Sequence, residues 1–148
     1  MRIIRVGDSD DAILSRKAES VPSVTKDVRR LMVALRDTMR KQKALGLAAP
    51  QIGVGLRVIA IKDPAFEMAN PVLKEVSIEM IAGMEGCLSL PGRVRVERYA
   101  SVVVEGLDRR GKVLRLTLDG AASVAVQHEI EHLDGILITN YEKAEVSV

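Results

Sequence analysis

Aromatic side chains are nearly missing from the 148-residue chain, which has two Tyr, one Phe and no Trp. Three rings cannot build the stacking platforms that hold single-stranded nucleic acid. An excess of one charge is missing too: 22 Lys and Arg stand against 20 Asp and Glu, a net +2 with both signs interspersed. Such a surface carries no polycationic field for duplex nucleic acid or anionic lipid. No apolar run approaches the ~20 residues that span a bilayer. Met1 to Asp8 runs into acidic and polar residues where a signal peptide would continue its apolar core. A cytoplasmic location is expected, without nucleic acid or membrane as partners. One Cys excludes an intramolecular disulfide and fits a reducing compartment. Repeats, low-complexity tracts and Pro/Gly linkers are also missing. The other scarce residue is histidine, present twice.

What remains is a globular mixture of 47% apolar and 28% charged residues. Its length suits a single catalytic domain over 1–148 with one core. Val28, Leu31, Met32, Leu35 and Met39 recur at the spacing of one helical face, predicting a helix over 25–43, with Arg29, Arg30, Arg36, Asp37 and Arg40 on its solvated side. Gly46 to Gly55 reads as loop or irregular edge, followed by a buried strand over 57–62. Further strands are predicted over 72–79, 101–107 and 112–118, the last two joined by a hairpin at 108–111 with Gly111 placed for a positive φ. A second helix follows from Asp119 or Gly120 to Asp134, with Asp119 as cap and Gly135 as left-handed terminator. Helix, strands, then a late helix is not βαβ alternation, so the expected class is α+β with short, largely antiparallel sheets.

The late helix carries the chemistry. His128 and His132, both histidines of the chain, lie four residues apart and share a face. Two imidazoles at that spacing can bind one metal ion, and Glu129 can reach ion-bound water without being a ligand. The alternative is a pair of histidines on a partly exposed helix. A catalytic site needs a third protein ligand and an open position. The extended metzincin pattern has its Gly at 135 but Ile138 where its third His should stand. A gluzincin ligand would have to be Glu142 or Glu145, close to the terminus. Cys87 is the remaining strong donor. Alone it reads as an inert buried hydrophobe, but Gly86 beside it permits close backbone approach to a metal or ligand. In a third segment, Gly46 to Gly53, small residues allow tight packing and Gln51 offers an amide to a developing oxyanion. Its alternative is a Gly/Ala turn with a solvated Gln. A zinc peptidase with an acidic ligand and a metal-stabilised binding module without turnover are the competing readings.

In this order the three segments resemble the GxGxAAPQ, EGCLS and HExxH motifs of the peptide deformylases, over most of the chain up to about Tyr141. The resemblance implies that Cys87, His128 and His132 hold one divalent ion, commonly Fe2+, with Zn2+, Ni2+ or Co2+ able to replace it. It implies Glu129 as general acid/base, with Gln51 and the backbone N–H of Leu88 stabilising the oxyanion. The implied substrate is the N-formyl-methionyl end of a new polypeptide, lying as an added strand beside Gly46 and Gly86. Leu45, Leu88, Val124 and His128 would wall its Met side chain. The implied fold places the HExxH helix centrally among short antiparallel sheets, with a further N-terminal helix. Ala44 replaces the first Gly of the first motif, and Glu131 stands where Asp is usual before the second His. Arg93 and Arg98 fall near the family's arginines after EGCLS. Many bacterial members dock on the ribosome through a long C-terminal helix. Here 136–148 leaves room for a short strand and a tail, so ribosome docking by that route is not expected.

Overall fold

The structure, a computed structural model, describes residues 1–141. Helix α1 spans Lys26–Lys41 and is set by its sequence at both ends. The Thr25 hydroxyl accepts from the Val28 N–H, Asp27 lies in the first turn, and Arg40 and Lys41 lie in the last, each complementing the helix dipole. Seven strands follow: β1 Gly46–Ala48, β2 Val58–Ile61, β3 Phe66–Val76, β4 Met80–Cys87, β5 Leu90–Tyr99, β6 Ser101–Leu107 and β7 Val113–Asp119. Helix α2 then runs Gly120–Leu133.

Five strands form an antiparallel sheet in the order β1-β2-β3-β6-β7, while β4 and β5 form a two-stranded sheet of their own. All four residues of β2 are buried, because the sheet is covered on both faces. Val58 and Ala60 join Leu31, Met32, Leu35 and Met39 under α1. Ile59 and Ile61 join Val102, Val104 and Leu118 against Ala125, Val126 and Leu133 of α2. The α+β class with antiparallel sheets and two helices is the one expected. Among the described residues no helix is long and apolar enough to cross a membrane.

Several expectations need correction. The strand predicted over 72–79 begins earlier, at Phe66, and stops at Val76. Ser77 breaks it: its hydroxyl donates to the Glu79 carbonyl and accepts from the Ser101 N–H, turning the chain into β4. Of the loop or irregular edge expected over 46–55, the edge is what forms: β1 is the outer strand of the five-stranded sheet, and a 3-10 turn, Ala49–Ile52, follows it. Helix α2 ends as predicted, with Gly135 at φ +73°, and Arg57 donates to the Leu133 carbonyl and to Asp134 at 2.8 Å each. It also starts at Gly120 as predicted, with Asp119 at the cap position, but the Asp119 side chain makes no capping bond, and the Gly120 N–H donates instead to the Ala100 carbonyl at 2.9 Å. Residues 136–141 form no strand but turn helical at 139–141. The expected tail, with Glu142 and Glu145, lies outside the described residues.

Candidate metal centre

Two side chains dock α2 onto the end of β5 and thereby place the histidines. Gln127 donates to the Tyr99 carbonyl at 2.9 Å and accepts from the Tyr99 N–H at 3.0 Å, as a neighbouring strand would. The Ser123 hydroxyl donates to the same carbonyl at 2.8 Å. From the other side comes Cys87 at the end of β4, where the register shifts between Gly86 and Cys87. Its Sγ lies 3.3 Å from His132 Nε2, which lies 3.2 Å from His128 Nε2. All three donor atoms fall within 4.8 Å of one another. Spacings of this size are the edges of a tetrahedron around an ion bonded at ~2.0–2.3 Å.

The surroundings fit a cation at this point. His128 Nδ1 lies 3.0 Å from Glu85 Oε1. A carboxylate only accepts, so Nδ1 carries the proton and Nε2 keeps its lone pair for a ligand bond. Burial opposes charge on His128, but Glu129, Cys87 and Glu85 outweigh it and raise its pKa to about 10. Without an ion that charge is a second proton, on Nε2, which a bound cation would replace. His132 is pushed down to about 3 by burial and then by His128, which leaves it a neutral donor. Its Nδ1 has no partner among the described residues.

Glu85 is held in turn by Arg98, whose Nε and Nη2 donate to its two oxygens at 2.9 Å each. Burial works against the Glu85 carboxylate, yet His128 and Arg98 hold it down at about 2. Arg98 also binds Glu131, so a guanidinium only 3% exposed is matched by two carboxylates. Glu85 had no predicted role. Nothing in the sequence marked it, because β4 shows no inside/outside alternation and its register shifts between Gly86 and Cys87.

Glu129 is 5% exposed, and its Oε1 has no partner among the described residues. Burial raises its pKa to about 7, against the lowering influence of His128 and Arg98. Gly46 presses on it so closely that an added Cβ would lie 2.8 Å from Oε2. Gln51, 2% exposed, is not a solvated turn residue. Its Oε1 accepts from the Ala48 N–H at 3.0 Å, which aims its Nε2 toward Cys87 Sγ, 3.6 Å away, and Ser89 Oγ, 3.3 Å away.

These groups face one cavity of about 760 Å3, which Gln51, Cys87 and Glu129 share with Leu45, Gly46, Gly86, Leu88, Val124 and His128. All the sequence-selected site residues but His132 line it, and His132 meets it through the other two donors. Ala44 and Arg93 line it as well. A convergent thiol and two imidazoles, beside a buried uncommitted carboxylate and a fixed amide, define a metal-dependent hydrolase.

Residues 1–146 match the sequence profile of the polypeptide deformylases. A peptide deformylase from Pelotomaculum thermopropionicum is 42% identical over 148 residues, covering 98% of this chain and 94% of the relative. The crystal structure of a class I type b peptide deformylase from Acinetobacter baumannii, with Met-Ala-Ser bound, superposes with a TM-score of 0.87 at 33% identity, over 95% of this chain and 97% of that one. The Thermotoga maritima peptide deformylase gives 0.87 at 31% identity, over 94% and 95%. The chain belongs to the peptide deformylase family and is an enzyme of that family, a hydrolase with a Cys/His/His metal-binding group.

Proposed function

We propose that the chain removes the formyl group from N-formyl-methionyl peptide ends, releasing formate and a free α-amine, as a single catalytic domain working in the cytoplasm. The observation that carries the proposal is Glu129 Oε1, buried without a partner on the cavity that Cys87, His128 and Gln51 also line. Cys87, His128 and His132 would hold one divalent ion. Thiolate with two imidazoles suits Fe2+, our choice for the native metal, as well as Zn2+, Ni2+ or Co2+. Bound there, such an ion supplies Lewis acidity and lowers the pKa of water toward ~7.

The chain's own groups do the rest. Glu129 takes a proton from the attacking water as the C–O bond forms at the formyl carbon. It delivers that proton to the departing nitrogen as the C–N bond breaks. Burial disfavours charge on the Glu129 carboxyl, so it accepts a proton readily. Gln51 Nε2 and the Leu88 N–H donate to the developing oxyanion. Leu45, Leu88, Val124 and His128 wall the methionine side chain, and the backbone at Gly46 and Gly86 pairs with the peptide. The Met-Ala-Ser ligand of the A. baumannii relative supports a peptide of this kind. The test is anaerobic formate release from formyl-Met-Ala-Ser, with metal content measured on the same sample. Turnover that scales with metal occupancy is expected. Cleavage of internal peptide bonds without formate release would instead favour a peptidase.

A further inference from the structure

Beyond α2 the chain turns at Gly135 and returns over the metal centre. Ile138 and Tyr141 close a small apolar cluster with Val94, Val96, Leu90 and Cys87. The Tyr141 hydroxyl is not idle in it. It donates to Glu131 Oε2, while Glu131 Oε1 accepts from Arg98 Nη1, and the guanidinium lies 5.4 Å from the Tyr141 ring centroid. Arg98 Nη1 also donates to the Tyr141 hydroxyl at 3.4 Å, its Nε and Nη2 hold Glu85, and Glu85 faces His128 Nδ1 at 3.0 Å. One continuous path therefore joins Tyr141, Glu131, Arg98, Glu85 and His128, linking the segment after α2 to a ligand at its middle.

We propose that Tyr141 is a positioning residue of the metal centre: by anchoring Glu131 against Arg98, its hydroxyl keeps Glu85 on His128 and so holds the imidazole with Nε2 turned toward the ion. The Glu131 side chain is 21% exposed, so without its second anchor it has water to turn to. Arg98, 3% exposed, has no such outlet. Left with one carboxylate instead of two, the buried guanidinium must shift to recover a partner, and Glu85 shifts with it because both of its oxygens are held by that fork. The effect on His128 is indirect but has only these few links to cross. The inference rests on the Cys87, His128 and His132 reading of the ion site and is independent of the substrate.

The experiment compares Tyr141→Phe with Ile138→Ala, both in the full chain loaded with Co2+. Phe keeps the ring in the apolar cluster and removes only the hydroxyl; Ile138→Ala removes packing from the same cluster and no polar group. The readouts, taken without substrate, are the Co2+ d–d absorption band and the rate of Co2+ transfer to a chelator. Loss of a partner that orients a ligand costs ~10- to 100-fold in metal affinity, so Tyr141→Phe should release Co2+ roughly 10-fold faster with a shifted band. Ile138→Ala should lower the melting temperature and leave the band in place. In a Glu131→Ala background, Tyr141→Phe should add far less than it does alone, since only the long 3.4 Å contact with Arg98 Nη1 remains to be lost. In the formyl-Met-Ala-Ser assay Tyr141→Phe should lower kcat at constant KM. A Tyr141→Phe protein with the parent's band and release rate overturns the proposal, as does an equal band shift in Ile138→Ala. If the parent released no formate, the deformylase reading would fail while the band and release rate still decided the role of Tyr141.

Discussion

Helix α1 keeps Arg29, Arg30 and Arg40 exposed and hides Val28, Leu31, Met32, Leu35 and Met39 with one polar residue, Thr38, whereas α2, of similar length, hides Ser123, Gln127, Glu129 and His132 among its apolar residues. Burying a polar group is unfavourable unless each hydrogen-bonding atom finds a partner. Ser123 and Gln127 find theirs on Tyr99. Glu129 Oε1 and His132 Nδ1 have none among the described residues. The contrast separates two ways of being a helix in this protein. The first helix follows the rule that sorts residues by polarity and contributes stability; the second departs from it, and the departures are the chemical groups.

That separation predicts which substitutions change turnover and which change stability. The largest effect is expected for Glu129→Gln, which keeps shape but cannot carry a proton. Formate release should fall by ~10²- to 10⁴-fold, with the melting temperature at or above the parent's, since a neutral amide replaces a buried carboxyl. A fall in stability of matching size would erase the distinction between the helices. Leu35→Ala, at a fully buried position of α1, should cost about 2–5 kcal/mol in urea unfolding and leave kcat per folded molecule unchanged. Gly46→Ala lies where the two behaviours meet, because its new Cβ strikes Glu129. About 1–3 kcal/mol of overpacking should appear together with reduced turnover. Smallest is Thr25→Ala, which removes the cap of α1 and should lower stability by about 1 kcal/mol without changing formate release.

The same contrast explains what could be read in advance. α1 was legible because its apolar residues recur with the helical period, and α2 because Gly135 stops it and HExxH marks its face. Placing both histidines on one ion needed only their spacing. Cys87 was harder, since a lone thiol is usually inert, and the family resemblance selected it where residue chemistry alone left it open. The β4–β5 sheet stayed hidden as a separate unit: Met80, Ile81 and Met84 are exposed, so β4 lacks the inside/outside alternation that reveals a strand. The Glu85 fork was invisible for a related reason. Arg98 is paired in register with Ile81 and reaches Glu85 diagonally along the sheet, a match set by side-chain length rather than by sequence spacing. Gln51 could be solvated or aimed inward on sequence grounds. Its bond to the Ala48 N–H decides for inward.

The isolation of the two-stranded sheet has a mechanical consequence. β4 and β5 share no strand edge with the larger sheet, yet one ligand sits on β4 and the other two on α2. An ion held by all three would act as a rivet between two bodies. The rigidity of the hairpin should then follow metal supply, with a stabilisation that grows as the logarithm of free metal and reaches about 2.7 kcal/mol at a hundredfold excess over Kd. Chelation should open the amides of 80–99 to hydrogen exchange before those of β2 and β3. Equal protection in both regions after chelation would show that the hairpin stands without its fastening. On this reading a shortage of metal would slacken one wall of the cleft, and the scarcity of an ion would be felt first as a loss of grip.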